Sequence, residues 1–162
     1  MKTERTSDNA PLVAIVEADR AVRELLRNFL NEEGYDVVSC ASAPTAPSII
    51  RQVNADLVLL NLWLEKRDDG WQVLERLQRD VTTATLPVIV LTTGTNALGK
   101  QQSLDVQPQW QEISMPFNLD DLLDKISTGL TAKPLLLEDA ARVACSVVNQ
   151  PPISRAAQQK EG

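Results

Sequence analysis

The feature that most constrains the fold is an alternation of short apolar runs with amphipathic segments. Strands are predicted from these runs at residues 12–16, 35–40, 56–60, 86–91 and 112–114. Alternation of this kind is typical of a mostly parallel sheet with helices on both faces, because such strands are buried on both sides. The run at 56–60 is apolar on both faces and therefore predicts a central strand.

The segments between the runs carry apolar residues at helical spacing. The helix predicted over residues 21–33 places five apolar side chains on one face: Val22, Leu25, Leu26, Phe29 and Leu30. Other helices are predicted at 46–53, after Gly70 and at 119–130, with a short or irregular one around 97–104. Strand–helix units in this order predict an α/β, flavodoxin-like (βα)5 three-layer sandwich with a parallel five-stranded sheet and a short C-terminal helical extension.

Length and charge bound the organisation and the partners. A chain of 162 residues suits one compact domain with an extension. We predict a flexible arm over residues 1–10, a domain over 11–130, and a helical extension with a disordered tail over 131–162. The net charge is −6, and no clustered Lys/Arg stripe is found, which argues against direct nucleic-acid binding and favours a protein partner.

Several classes of protein are excluded by what the composition lacks. No apolar stretch approaches the roughly 20 residues that a membrane span needs, and the polar N-terminus has no signal core. We therefore expect a cytoplasmic protein without a membrane segment. The chain has no histidine, and its two cysteines, Cys40 and Cys145, are far apart, which leaves little material for zinc or histidine chemistry.

Polar side chains follow the predicted strands where the strands end, and parallel strands end at one edge of the sheet. The residues at these ends are Glu17, Ala18 and Asp19, then Asn61, then Thr92 and Thr93, and finally Met115, Pro116 and Phe117. Asn61 is the most informative of them. Its nitrogen lone pair is delocalised into the carbonyl and its oxygen carries no full charge, so it cannot attack phosphorus as a carboxylate can.

The order and spacing of these strand ends resemble the receiver domain of bacterial response regulators, over roughly residues 11–130. In that family an acidic pair after the first strand and an aspartate after the third hold Mg²⁺. That aspartate takes a phosphoryl group from a histidine kinase. A Thr or Ser after the fourth strand and a Lys before the cis-proline of the fifth then read the phosphate.

Placed residue by residue, the resemblance implies a degenerate phosphoacceptor pocket. Glu17 keeps the first acid and Thr92 keeps the hydroxyl, whereas Ala18, Asn61 and Met115 stand where an acid, the acceptor aspartate and the lysine are expected. Because three positions depart together, natural degeneracy is favoured over an engineered Asn61.

The three departures from the family pattern are consistent with one another in charge. Close carboxylate pairs repel by roughly 4 kcal/mol at an effective dielectric of 20, so a site with several acids needs a divalent ion. Here Glu17 remains, with Asp19 as a second weak metal candidate, and we expect Mg²⁺ binding to be weak or absent and no cofactor to be used. Met115 replaces an ammonium whose unpaired burial would be costly.

The sequence therefore predicts an atypical receiver-like protein, not an enzyme, that acts by phosphorylation-independent protein–protein interaction. Its partner would be a histidine kinase, another signalling protein or a second copy of the chain. Trp63, Trp110 and Phe117 are candidate contacts because they lie near strand ends.

Two alternatives stay open. One is a regulator that accepts phosphate through a non-standard acceptor such as Thr92, Thr93 or Asp69. The other is a small-ligand-binding flavodoxin-like protein, although the chain has neither a GxGxxG nor a GxxxxGK[ST] phosphate cradle.

Overall fold

Five parallel strands form one sheet in the order β2-β1-β3-β4-β5. The computed structural model describes residues 10–65, 69–93 and 110–131. The strands are β1 (Leu12–Val16), β2 (Asp36–Cys40), β3 (Leu57–Asn61), β4 (Val88–Thr92) and β5 (Trp110–Ser114). The helices within these ranges are α1 (Arg20–Glu32), α2 (Ala46–Val53), α3 (Asp69–Arg79) and α4 (Leu119–Thr131). The predicted α/β flavodoxin-like fold with a five-stranded parallel sheet is confirmed.

Three predicted segments lie wholly or almost wholly outside the described residues. They are the N-terminal arm, of which only Ala10 is described, the helix around 97–104, and the C-terminal extension over 131–162, of which only Thr131 is described, as the last residue of α4. In the described part of the chain, no helix has both the length and the apolar character needed to cross a membrane.

The sheet is buried on both faces by helices. Every residue of β1, β3 and β4 is buried. Because neighbouring side chains along a strand point to opposite faces, two separate cores form. Helices α1 and α4 cover one face through Leu26, Leu30, Leu122 and Ile126, and helices α2 and α3 cover the other through Ile50, Val73, Leu74 and Leu77.

Helix α1 differs from the prediction at Leu25. This side chain is 60% exposed, whereas Leu26 and Leu30 are buried, so its assignment to the inward face was wrong. Leu25 lies about 100° around the helix from Leu26 and faces solvent, whereas Phe29 and Leu30 both contact the core. The buried stripe is narrower than the apolar stripe of the sequence.

Gly70 brings the first turn of α3 against the end of β3. A Cβ atom built on Gly70 would lie 2.4 Å from Leu62 Cα and 2.6 Å from the Asn61 carbonyl oxygen. These are backbone atoms and cannot move aside without shifting the strand end. The helix includes this glycine, because α3 begins at Asp69 rather than after Gly70 as predicted.

Candidate functional site

The candidate site lies at the carboxyl edge of the sheet, where β1 and β3 end side by side. Val16 pairs in register with Leu60, which places the next residues, Glu17 and Asn61, next to each other. Asn61 Nδ2 donates a hydrogen bond of 2.7 Å to Glu17 Oε2. Both side chains are buried, with 2% of Glu17 and 6% of Asn61 exposed. A short hydrogen bond to a carboxylate is stronger than one between neutral groups.

Two backbone amides complete the network around this pair. The Asp19 N–H donates to Glu17 Oε1 at 2.9 Å, and the Trp63 N–H donates to Asn61 Oδ1 at 2.9 Å. Both oxygens of Glu17 and both ends of the Asn61 carboxamide therefore have partners. Reversing the carboxamide would set oxygen against oxygen at Glu17 and donor against donor at Trp63, so the network fixes its orientation.

Helix α1 holds the loop that follows β1. The Arg23 guanidinium donates to the backbone carbonyl oxygens of Glu17 at 2.7 Å and Ala18 at 3.1 Å. The Asp19 carboxylate caps the helix, because its Oδ1 accepts from the Ala21 N–H at 2.8 Å. Asp19 therefore contributes a backbone amide to Glu17 while its own side chain serves the helix.

The described side chains at this edge do not form a ligand set that fits a magnesium ion. Mg²⁺ requires near-octahedral oxygen ligands and is usually held by carboxylates. Here Glu17 is the carboxylate at the centre of the network, both its oxygens accept hydrogen bonds, and Asn61 turns its N–H donor toward it. Within residues 10–65, 69–93 and 110–131, no group of three or more His, Cys, Asp or Glu side chains is placed to hold a metal ion.

A second hydrogen-bonded cluster lies at the ends of β4 and β5. Thr92 is fully buried, and its Oγ1 donates to Glu112 Oε1 at 2.7 Å. The Ser114 hydroxyl oxygen lies 3.4 Å from Thr92 Oγ1. Our sequence reasoning placed Thr92 correctly at a strand end but missed Glu112. The sequence feature that could have identified Glu112 is the two-residue period of the strand, which puts Glu112 and Ser114 on one face.

The residues after β5 connect back to β4 through the backbone. The Met115 N–H donates to the Thr92 carbonyl oxygen at 2.7 Å, and the Met115–Pro116 peptide bond is cis. The Met115 side chain is half-buried. Phe117 is also partly buried and packs against the core beneath α1 and α4.

The three predicted aromatic contacts differ in exposure. Trp63 is 39% exposed, beside the Asn61 network. Trp110 is partly buried, and its ring stands edge-to-face on Trp71, with ring centroids 6.2 Å apart and an interplanar angle of 83°. Trp110 therefore contributes to packing between β5 and α3, and Trp63 is the most accessible of the three predicted contacts.

The fold and the arrangement of strand ends define a class of signalling protein. Residues 13–127 match the model of the response regulator receiver domain, and the chain belongs to this family. Receiver domains act in two-component signalling, where they interact with histidine kinases and other proteins, and they are generally non-enzymatic.

Named relatives agree with this assignment. The chain is 29% identical over 144 residues to the DNA-binding dual master transcriptional regulator RpaA of Synechocystis sp., covering 89% of this chain and 58% of that protein. It is 28% identical over 118 residues to the phosphate regulon transcriptional regulatory protein PhoB of Pseudomonas aeruginosa, covering 73% of this chain and 51% of that protein. The chain thus spans only about half the length of these relatives.

Solved structures show the same fold. The structure of a response regulator receiver protein from Sinorhizobium medicae superposes with a TM-score of 0.67 at 19% identity, covering 78% of this chain and 99% of that one.

Proposed function

We propose that this receiver does not take up a phosphoryl group and acts through protein–protein interaction, in a conformation set by its own hydrogen bonds. The observation that carries the proposal is the hydrogen bond from Asn61 Nδ2 to Glu17 Oε2. A carboxylate at position 61 has no proton to donate at neutral pH, so the carboxamide here does structural work that the acceptor aspartate of a receiver does not do.

Nucleophilic chemistry at Asn61 is blocked in two ways. The amide nitrogen has no free lone pair, and the amide oxygen lacks the charge of a carboxylate. The side chain is also only 6% exposed, and Oδ1 accepts from the Trp63 N–H. No reactive oxygen at the end of β3 is therefore presented to a phosphodonor.

The metal requirement of the phosphoryl-transfer reaction points the same way. Phosphoryl transfer depends on fixed positive charge that stabilises the negative charge of the transition state. One hydrogen-bonded carboxylate and one amide make a weak anchor for Mg²⁺. Met115 also supplies no ammonium at the end of β5. We propose that Mg²⁺ binding is weak or absent and that no cofactor is used.

The proposed partner is a protein: a histidine kinase, another signalling protein or a second copy of this chain. The net charge of −6 disfavours direct contact with nucleic acid or an anionic membrane. Trp63 is the first residue to test as a contact, since it is exposed and its backbone is fixed by Asn61. We further propose a cytoplasmic location, in keeping with partners of this kind.

Incubation of the full chain with acetyl phosphate and Mg²⁺, followed by intact-mass measurement, tests the proposal. We expect no gain of a phosphoryl group, while a receiver with an aspartate at the equivalent position gains one in the same mixture. Adduct on the wild-type chain would contradict the proposal, and peptide mapping would then assign it to Thr92, Thr93, Asp69 or another residue.

A further inference from the structure

Thr92 has a single hydroxyl proton, which it donates to the Glu112 carboxylate. The 2.7 Å separation of Oγ1 and Oε1 is typical of a hydroxyl donating to a carboxylate, which cannot donate in return. In the 3.4 Å contact with Ser114, the serine hydroxyl must therefore be the donor. Thr92 is fully buried, so its hydroxyl is not in contact with bulk solvent.

The bond joins the last residue of β4 to the edge of the sheet. Strand β5 is the last strand in the sheet order and pairs with β4 alone among the described strands. In the register Val90 faces Glu112 and Thr92 faces Ser114, so the Thr92–Glu112 bond runs diagonally between the two strands. It adds a side-chain connection to the backbone ladder at the point where both strands end.

We propose that Glu112 is a positioning residue: it is the resident acceptor for the Thr92 hydroxyl and holds the ends of β4 and β5 in one arrangement without any bound ligand. This inference rests on the proposed function, because a receiver that takes no phosphoryl group must fix its conformation from within. An external oxyanion could reach the Thr92 hydroxyl only by displacing the Glu112 carboxylate, which is also negatively charged. The Thr92–Glu112 hydrogen bond thus excludes such an anion and also holds the ends of the two strands together.

Native-state amide hydrogen exchange on the full chain tests the pair. The main probes are the amides of β5 and the Met115 N–H, which donates to the Thr92 carbonyl. Glu112→Ala and Thr92→Val are each expected to speed exchange at these probes by about tenfold, as loss of a charged hydrogen bond predicts. The double variant should exchange no faster than the faster of the two single variants, because both remove the same bond.

Two controls separate this role from general loosening of the strand. Gln111→Ala truncates the neighbouring residue on the opposite face of β5 and should leave the Met115 probe close to its wild-type rate. Thr92→Ser keeps the hydroxyl and should also stay near wild type, so the Val and Ser variants remain decisive if Glu112→Ala fails to fold.

The inference is overturned if the two single effects multiply in the double variant, or if Thr92→Val and Thr92→Ser behave alike. Phosphorylation of the wild-type chain would instead defeat the proposed function, whatever the exchange rates show.

Discussion

Replacing Asn61 with aspartate is expected to lower the free energy of unfolding by about 3 kcal/mol when Mg²⁺ is withheld. The substitution exchanges the Nδ2 donor for a second carboxylate oxygen at the position that lies 2.7 Å from Glu17 Oε2. Two carboxylates about 4 Å apart repel by roughly 4 kcal/mol at an effective dielectric of 20, and partial protonation of the pair relieves some of this. Added Mg²⁺ should recover the loss, because an ion at about 100 times its Kd stabilises by about 2.7 kcal/mol.

Urea unfolding with EDTA and with Mg²⁺ measures both effects. Asn61→Ala is the matched control: it removes the same donor without adding a charge, so it should be destabilised but indifferent to Mg²⁺. The wild-type chain should be indifferent as well. Equal stability of Asn61→Asp and wild type in EDTA, or an unfolding midpoint of Asn61→Asp that Mg²⁺ does not move, would show that the hydrogen bond from the carboxamide is not what stabilises the buried Glu17 carboxylate.

Gly70→Ala is expected to cost about 3 kcal/mol of stability, at the upper end of the range for overpacked sites. The added methyl group would lie 2.4 Å from Leu62 Cα and 2.6 Å from the Asn61 carbonyl oxygen. Relief requires α3 to move away from the end of β3, which also disturbs the loop that presents Trp63. The higher helix propensity of alanine stabilises the helix by at most about 1 kcal/mol, so the substitution remains destabilising overall.

Gly129→Ala in α4 is the comparison for this prediction. There the new methyl group would meet Leu57 Cδ1 at 2.9 Å and Pro87 Cβ at 3.5 Å, and the nearest of these is the end of a side chain. A small rotation of Leu57 and the gain in helix propensity offset each other, so we expect a change within about 1 kcal/mol. Thermal or urea unfolding compares the two variants, and an equal loss of stability in both would contradict the steric role assigned to Gly70.

The fold was predictable because the spacing of apolar residues along the chain, and their burial, determine where strands and helices form. The apolar runs located all five strands to within about two residues, the usual uncertainty of element ends. The largest differences are two residues: β4 begins at Val88 rather than residue 86, and β5 begins at Trp110 rather than residue 112. The start of β5 was missed because it is polar. Gln111 and Glu112 disguised its start, since an edge strand tolerates polar residues that a central strand does not.

The site was predictable in position but not in hydrogen bonding. Parallel strands end at one edge, so the sequence alone brings Glu17, Asn61 and Thr92 to the same edge of the sheet. It does not show that Asn61 turns its donor to Glu17, or that Glu112 accepts from Thr92. Those bonds depend on side-chain rotamers and on the relative placement of strands β1, β3, β4 and β5, which no local pattern encodes.

The most direct test of the central claim is a two-dimensional ¹⁵N–¹H spectrum of the wild-type chain, recorded before and after Mg²⁺ and beryllofluoride are added. We expect no saturable shift of the side-chain amide signals of Asn61 or of the backbone signals of Glu17 and Thr92. Saturable shifts of these three residues together would show that the edge of the sheet binds a metal and a phosphoryl analogue, and would contradict the account.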